Sequence, residues 1–238
     1  MSVRFSLIGF VAEHPWLFQS CYKMRRKYYP LLVKEDIDIV IEGFPRSANT
    51  FAVIAFESAQ QSPQKIAHHL HSESQVVLGV RLEKPVILLI RHPKDAVASL
   101  LLRAPAVSPS QALKRYERFY SNIEALLPSV VLATFEEVTS DFSRVISRVN
   151  DRFGVSFSCY RNSEQQDDVI FKSISELNRK QFRGDKRMVA RPLLEKNDPL
   201  KVIGDSLTGR RDLDRCIKLY QRLIRADKQT SARPLRPD

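Results

Sequence analysis

The chain has 238 residues, enough to bury a sizeable core as one α/β domain. Its 38 basic residues against 27 acidic ones leave a net charge of +11, which implies an anionic partner. No Lys/Arg block interleaved with aromatics is present, so nucleic acid is not the expected partner; Cys21, Cys159 and Cys216 are too few and too scattered for a disulfide framework or a zinc site.

Residues 1–34 read as an amphipathic lead-in, with Met24-Arg25-Arg26-Lys27-Tyr28-Tyr29 as its densest basic patch. From Asp36 to Ile41 an alternating and then continuous apolar run predicts a buried strand. Gly43-Phe44-Pro45-Arg46-Ser47-Ala48-Asn49-Thr50 breaks that run, and Phe51, Val53, Ile54, Ala55 and Phe56 follow at helical spacing. A strand, a tight loop and a helix N-terminus in succession make a cradle for a phosphate. The frame fits the nucleotide loop G-x-x-x-x-G-K-[ST], with Ala48 at the second glycine, Asn49 at the lysine and Thr50 at the hydroxyl. The lysine that reaches the β- and γ-phosphates is thus missing, and the cation sits inside the loop at Arg46. This disfavours ATP chemistry and leaves room for another phosphorylated ligand.

Next comes Ile66-Ala67-His68-His69-Leu70-His71, holding three of the five histidines. A strand is expected here, with His69 and His71 on one face and His68 on the other. No cysteine or carboxylate stands at ligand spacing, so no metal is expected. Ser72-Glu73-Ser74-Gln75 can cap a short helix through Leu78. Pro85 to Ile90 is a second buried strand, followed by Arg91-His92-Pro93-Lys94-Asp95-Ala96-Val97-Ala98-Ser99. Pro93 suits a first helical turn, which puts Arg91 at the carboxyl end of its strand and Ser99 two turns along the helix.

Arg103 to Pro109 is a loop placed to border an acceptor pocket, and Ser110 to Leu127 reads as a helix whose Tyr116, Phe119 and Tyr120 belong in a core. Val130 to Phe135 is a third strand and leads through Glu136-Glu137-Val138 into a helix ending near Phe153-Gly154-Val155. A helix to about Asn178, a basic glycine-broken loop over 179–187, a final amphipathic helix from Asp212 to Ala226 and a disordered tail over 227–238 complete the chain.

Two of these stretches resemble the paired motifs of the sulfotransferases that use 3′-phosphoadenosine 5′-phosphosulfate (PAPS). Gly43 to Phe51 is similar to their 5′-phosphosulfate loop, G-[YF]-P-K-S-G-T-T-W, and Arg91 to Ser99 to their 3′-phosphate motif, R-[ND]-P-[KR]-D-x-x-x-S. The firm part covers residues 36–155, within a single domain over 1–226 that has a helical C-terminal part from 156. The resemblance implies a three-layer α/β/α fold with a central, mainly parallel sheet of the P-loop type, and transfer of a sulfuryl group to a hydroxyl or an amine.

It further implies that Arg46, Ser47, Ala48, Asn49, Thr50 and Phe51 hold the 5′ end of the donor and that Arg91 and Ser99 hold its 3′-phosphate. His69, or else His71, is the implied base, matching a His-Leu pair in the family, with Arg46 assisting the leaving group. Arg183-Gly184 is the implied remnant of a closing Arg-Lys-Gly loop. The donor carries on the order of four negative charges, which accounts for part of the basic excess. No metal is implied. The acceptor stays open among small molecules, saccharides and lipids, as does the oligomeric state. Without the apolar anchor of the Golgi members, the chain is expected to be of the soluble, bacterial type and cytoplasmic. A kinase of the same fold and a silent nucleotide-binding protein are the alternatives.

Overall fold

The computed structural model describes residues 15–160, 164–182 and 197–231. After helix α1 (Pro15–Lys23) and a 3₁₀ turn (Tyr29–Leu31), strand β1 (Ile39–Gly43) runs into helix α2 (Asn49–Ala59). Strand β2 (Ile66–His68), helix α3 (Glu73–Arg81), strand β3 (Val86–Ile90) and helix α4 (Pro93–Arg103) repeat that alternation. Helix α5 (Pro109–Ile123) and a 3₁₀ turn lead to strand β4 (Val131–Thr134), and the helices α6 (Phe135–Ser140), α7 (Phe142–Phe153), α8 (Glu164–Phe182), α9 (Asn197–Leu207) and α10 (Arg211–Ser231) follow.

The four strands form one sheet in the order β2-β1-β3-β4, with each neighbouring pair parallel. Alternating residues divide its two faces. Val40, Val86, Leu88, Ile90 and Leu132 pack with α3, α4, α5 and α10, whereas Ile39, Ile41, Ile87, Leu89, Val131 and Ala133 pack with α2, α7 and α8. Apolar side chains on both faces are what a parallel sheet requires, and the expected three-layer α/β/α architecture is the observed one.

The chain order places the β1-to-β2 connection on one side of β1 and β3 on the other, so the carboxyl ends of β1 and β3 flank the switch point where open α/β sheets leave a crevice. Gly43 faces Leu89 in that pairing, and a Cβ there would lie 2.7 Å from Leu89 Cβ and strike its carbonyl oxygen. Tyr120 closes the ladder beyond this pair: its hydroxyl donates to Leu89 O at 2.8 Å and accepts from Phe44 N at 3.4 Å. Tyr116, Phe119 and Tyr120 are all fully buried, as their spacing predicts.

Some boundaries differ from expectation. Helix α3 runs on to Arg81, and the helix predicted to Leu127 becomes a 3₁₀ turn after Ile123 because Pro128 cannot continue it. The last helix extends five residues past Ala226, to Ser231, so 227–231 of the expected tail are helical and the rest of it lies outside the described residues. Among the described residues no helix is long and apolar enough to cross a membrane.

Candidate functional site

The loop leaving β1 turns twice through the left-handed region, at Arg46 (φ 74°) and Ala48 (φ 68°), with Ser47 fully buried between them. Such alternation turns successive N–H groups toward one point, and α2 begins there with no acidic residue in its first turn. The Asn49 amide nitrogen ties the loop by donating to Phe44 O at 3.0 Å. Ala48 occupies a conformation that disfavours any residue with a Cβ by about 1–2 kcal/mol. Ala48→Gly is therefore expected to stabilise the protein by about 0.5–1 kcal/mol after the larger unfolded-state entropy of glycine is subtracted. Urea titration checks this; no gain would mean the loop relaxes around the methyl group.

The two motifs meet. Arg46 Nε donates to Ser99 Oγ at 2.9 Å, and Arg91 Nη1 donates to Arg46 O at 3.2 Å, across 53 and 45 residues of sequence. Ser99 sits on the buried side of α4, and Arg91 directly follows β3, with its guanidinium 4.0 Å above the Phe135 ring. Tyr116 fixes that corner by donating to Arg91 O at 2.8 Å. Thus Arg46, Ser47, Asn49, Thr50, Arg91 and Ser99 all lie around the ends of β1 and β3. Phe51 does not. It is 3 % exposed and packs on Tyr160 and Phe171 in the apolar layer under α2, a core position rather than the donor-holding one that the resemblance implies. Arg183 and Gly184 lie outside the described residues.

The histidine segment departs from the predicted strand. β2 stops at His68, and the chain then turns left-handed at His69 (φ 58°) and again at His71 (φ 49°). Strand alternation therefore does not separate the rings, which gather instead: His68 and His69 centroids are 4.7 Å apart and those of His69 and His71 5.9 Å. His69 Nε2 lies 3.0 Å from Thr50 Oγ1, while His71 Nδ1 lies 3.0 Å from Gly43 O and therefore carries the proton. Among the described residues, no three His, Cys, Asp or Glu side chains are grouped to hold a metal ion.

Burial, and then the charges of Arg103 and Arg91, push the Arg46 guanidinium down to about 10. Burial likewise brings His68 and His71 down to about 4 and holds His69 well below the ordinary imidazole range, with His68, His71 and Arg103 adding to the effect on His69. All three rings are neutral at pH 7.

Two residues of this site were not singled out from sequence. Arg103 ends α4 one turn beyond Ser99, and its charge bears on Arg46, His69 and His71; its spacing four residues after Ser99 was the available signal. Glu42 is fully buried at the end of β1, where Oε1 accepts from Leu70 N at 2.8 Å and burial pushes the carboxyl up to about 8. A carboxyl inside the apolar run Ile39-Val40-Ile41-Glu42 was its signal.

No family model matches this chain, and no curated protein matches its sequence. Among solved structures it is similar to mouse sulfotransferase SULT7A1 complexed with PAP (adenosine 3′,5′-bisphosphate), at 17 % identity and a TM-score of 0.45, over 80 % of this chain and 91 % of that one. At that distance the likeness decides nothing about the site, and the fold class rests on the sheet described above.

Proposed function

We propose that this chain is a sulfotransferase that moves a sulfuryl group from PAPS to a hydroxyl of an acceptor. The observation that carries this reading is the convergence of the two motifs, Arg46 on Ser99 and Arg91 on the Arg46 carbonyl, at the carboxyl ends of β1 and β3. The groups present suit a bisphosphorylated anion: two arginines, a helix N-terminus without acids in its first turn, and a loop of converging N–H groups.

In this reading the loop N–H groups of Ser47 to Thr50 and the Arg46 guanidinium hold the 5′-phosphate, and Arg91 and Ser99 hold the 3′-phosphate. Charge that builds on the leaving phosphate oxygen meets donors already aimed at it, which is how such sites lower a barrier. Arg46 in place of the family's lysine can fork two oxygens. His69 is the base, because its Nε2 lies beside Thr50 at the start of α2. The acceptor O–H bond breaks with its proton going to Nε2, the acceptor oxygen bonds to sulfur, and the sulfur–phosphate oxygen bond breaks to release PAP.

Calorimetric titration with PAP, against ATP–Mg²⁺ and AMP, tests the donor site. PAP is expected to bind in preference to both, and Arg91→Ala to weaken it about 10- to 100-fold, the size of a lost hydrogen bond to a charged group. A preference for ATP–Mg²⁺, or PAP affinity unchanged in Arg91→Ala, would sink the assignment.

A further inference from the structure

We propose that His68 is a positioning residue for His69: its Nδ1 accepts the His69 Nδ1 proton and so leaves the His69 Nε2 lone pair facing Thr50. This rests on the reading of His69 as the base. His68 is the last residue of β2 and is registered against Ile41 of β1, so its backbone is anchored in the sheet. Its Nδ1 meets the Nδ1 of His69, with the two rings at 81° to one another. Two neutral imidazoles can share such a contact only if one ring donates and the other accepts.

Two arrangements satisfy it. In one, His69 carries its proton on Nδ1 and donates to His68, and the free Nε2 accepts from the Thr50 hydroxyl 3.0 Å away. In the other, His68 donates, and His69 carries its proton on Nε2 and gives it to Thr50 Oγ1. The second leaves the Thr50 hydroxyl proton to find an acceptor of its own. A helical threonine otherwise uses the carbonyl three or four residues back, but among the described residues the Thr50 hydroxyl meets only His69 Nε2, and the Arg46 carbonyl four residues back already receives Arg91 Nη1. The first arrangement gives the Thr50 hydroxyl proton its partner and puts the remaining His68 proton on Nε2 of a half-buried ring.

The low pKa values of His68 and His69 agree with one proton per ring. Among the described residues the charged and titratable groups that act on His69 are His68, His71 and Arg103, none of them a carboxylate. A neutral imidazole thus plays the orienting part that a carboxylate more often plays beside a catalytic histidine. It fixes the tautomer without raising the basicity of the ring as a full negative charge would.

The tautomer is read directly by long-range ¹H–¹⁵N correlation spectra of the full chain labelled on its histidine nitrogens, with His69→Gln used to assign the His69 signals. Wild type is expected to show His69 as the Nδ1–H form. His68→Ala should move it to predominantly Nε2–H, whereas His68→Asn, whose side-chain oxygen accepts the same hydrogen bond, should keep Nδ1–H. If His68→Ala does not fold, wild type and His68→Asn still decide. An Nε2–H form in wild type or in His68→Asn overturns the proposal, and so does an Nδ1–H form that survives in His68→Ala. These spectra need neither acceptor nor donor, so failure of PAP to bind would count against the sulfotransferase reading alone.

Discussion

Arg115→Ala is expected to lower the free energy of unfolding by about 3–5 kcal/mol, the cost of stranding a buried charge. Glu73 is 2 % exposed and its carboxylate is held at both oxygens by Arg115, Nη1 at 2.8 Å and Nη2 at 2.6 Å. After the substitution the described polar support of that carboxylate would be Asn122 Nδ2 at 3.3 Å. Arg115 Nη2 also donates to His71 O at 3.1 Å, so the same change frees the backbone of the histidine segment. Urea unfolding gives the loss, and the double substitution Arg115→Met with Glu73→Gln should recover most of it by removing the charge that was left unpaired. The pair Arg222 with Glu124 makes the contrast: its side chains are 58 % and 32 % exposed, and breaking it should cost under about 1 kcal/mol. Equal losses at the two sites would refute the role given to burial.

Stability is expected to peak near pH 6.5 and to fall on both sides. The Glu42 carboxyl holds its proton up to about 8 in the folded chain, against an ordinary value of 4.5. Between those values the folded state binds more protons than the unfolded one, so stability falls as pH rises. The three histidines act in the opposite sense. His68 and His71 titrate near 4 and His69 well below its ordinary range, against 6.5 when unfolded, so stability rises with pH up to 6.5 and their combined effect outweighs that of one carboxyl.

Above 6.5 the histidines no longer contribute, and Glu42 alone costs about 1.4 kcal/mol per pH unit, roughly 2 kcal/mol by pH 8. Tyr22 and Tyr120, which sense the Glu42 charge, are both raised and stay neutral across this range. Unfolding measured at pH 5, 6.5 and 8 checks the shape. Glu42→Gln, which mimics the protonated carboxyl, should flatten the alkaline side; a slope that persists in this variant would show that another group carries it.

The parts of the site that sequence reveals are those built from neighbours in the chain. Gly43 to Thr50 and Arg91 to Ser99 each combine a strand end, a turn residue and a helix start within about nine positions, and helical spacing alone aims Ser99 back toward Arg91. The histidine segment leaves the strand that its pattern predicts because what bends it is remote. Glu42, 28 residues earlier, takes the N–H of Leu70, and Arg115, 44 residues later, takes the carbonyl of His71. With both groups held sideways, the chain cannot continue as a strand, and no local pattern records that. The core place of Phe51 is hidden from local pattern for a similar reason. Helical spacing fixes which face it shares with Ala55, but Tyr160 and Phe171, more than 100 residues on, make that face part of the core. The strands of the sheet are legible in the sequence, whereas their order β2-β1-β3-β4 is set by pairing between segments remote in the chain.

The layer over α4 and α5 is finished late in synthesis. Leu213, Cys216, Leu219 and Leu223 of α10 pack into the same apolar cluster as Leu100 and Leu101 of α4 and Leu113, Tyr116 and Tyr120 of α5. Tyr116 and Tyr120 are the side chains that pin Arg91 and the Leu89–Phe44 corner. A nascent chain that has emerged to residue 207 therefore owns every residue of the anion crevice but still shows water the apolar surface that α10 will cover. Non-local parallel pairing is slow in any case, and here the final helix sets the earliest moment at which the loops made from the first 103 residues rest on a completed core.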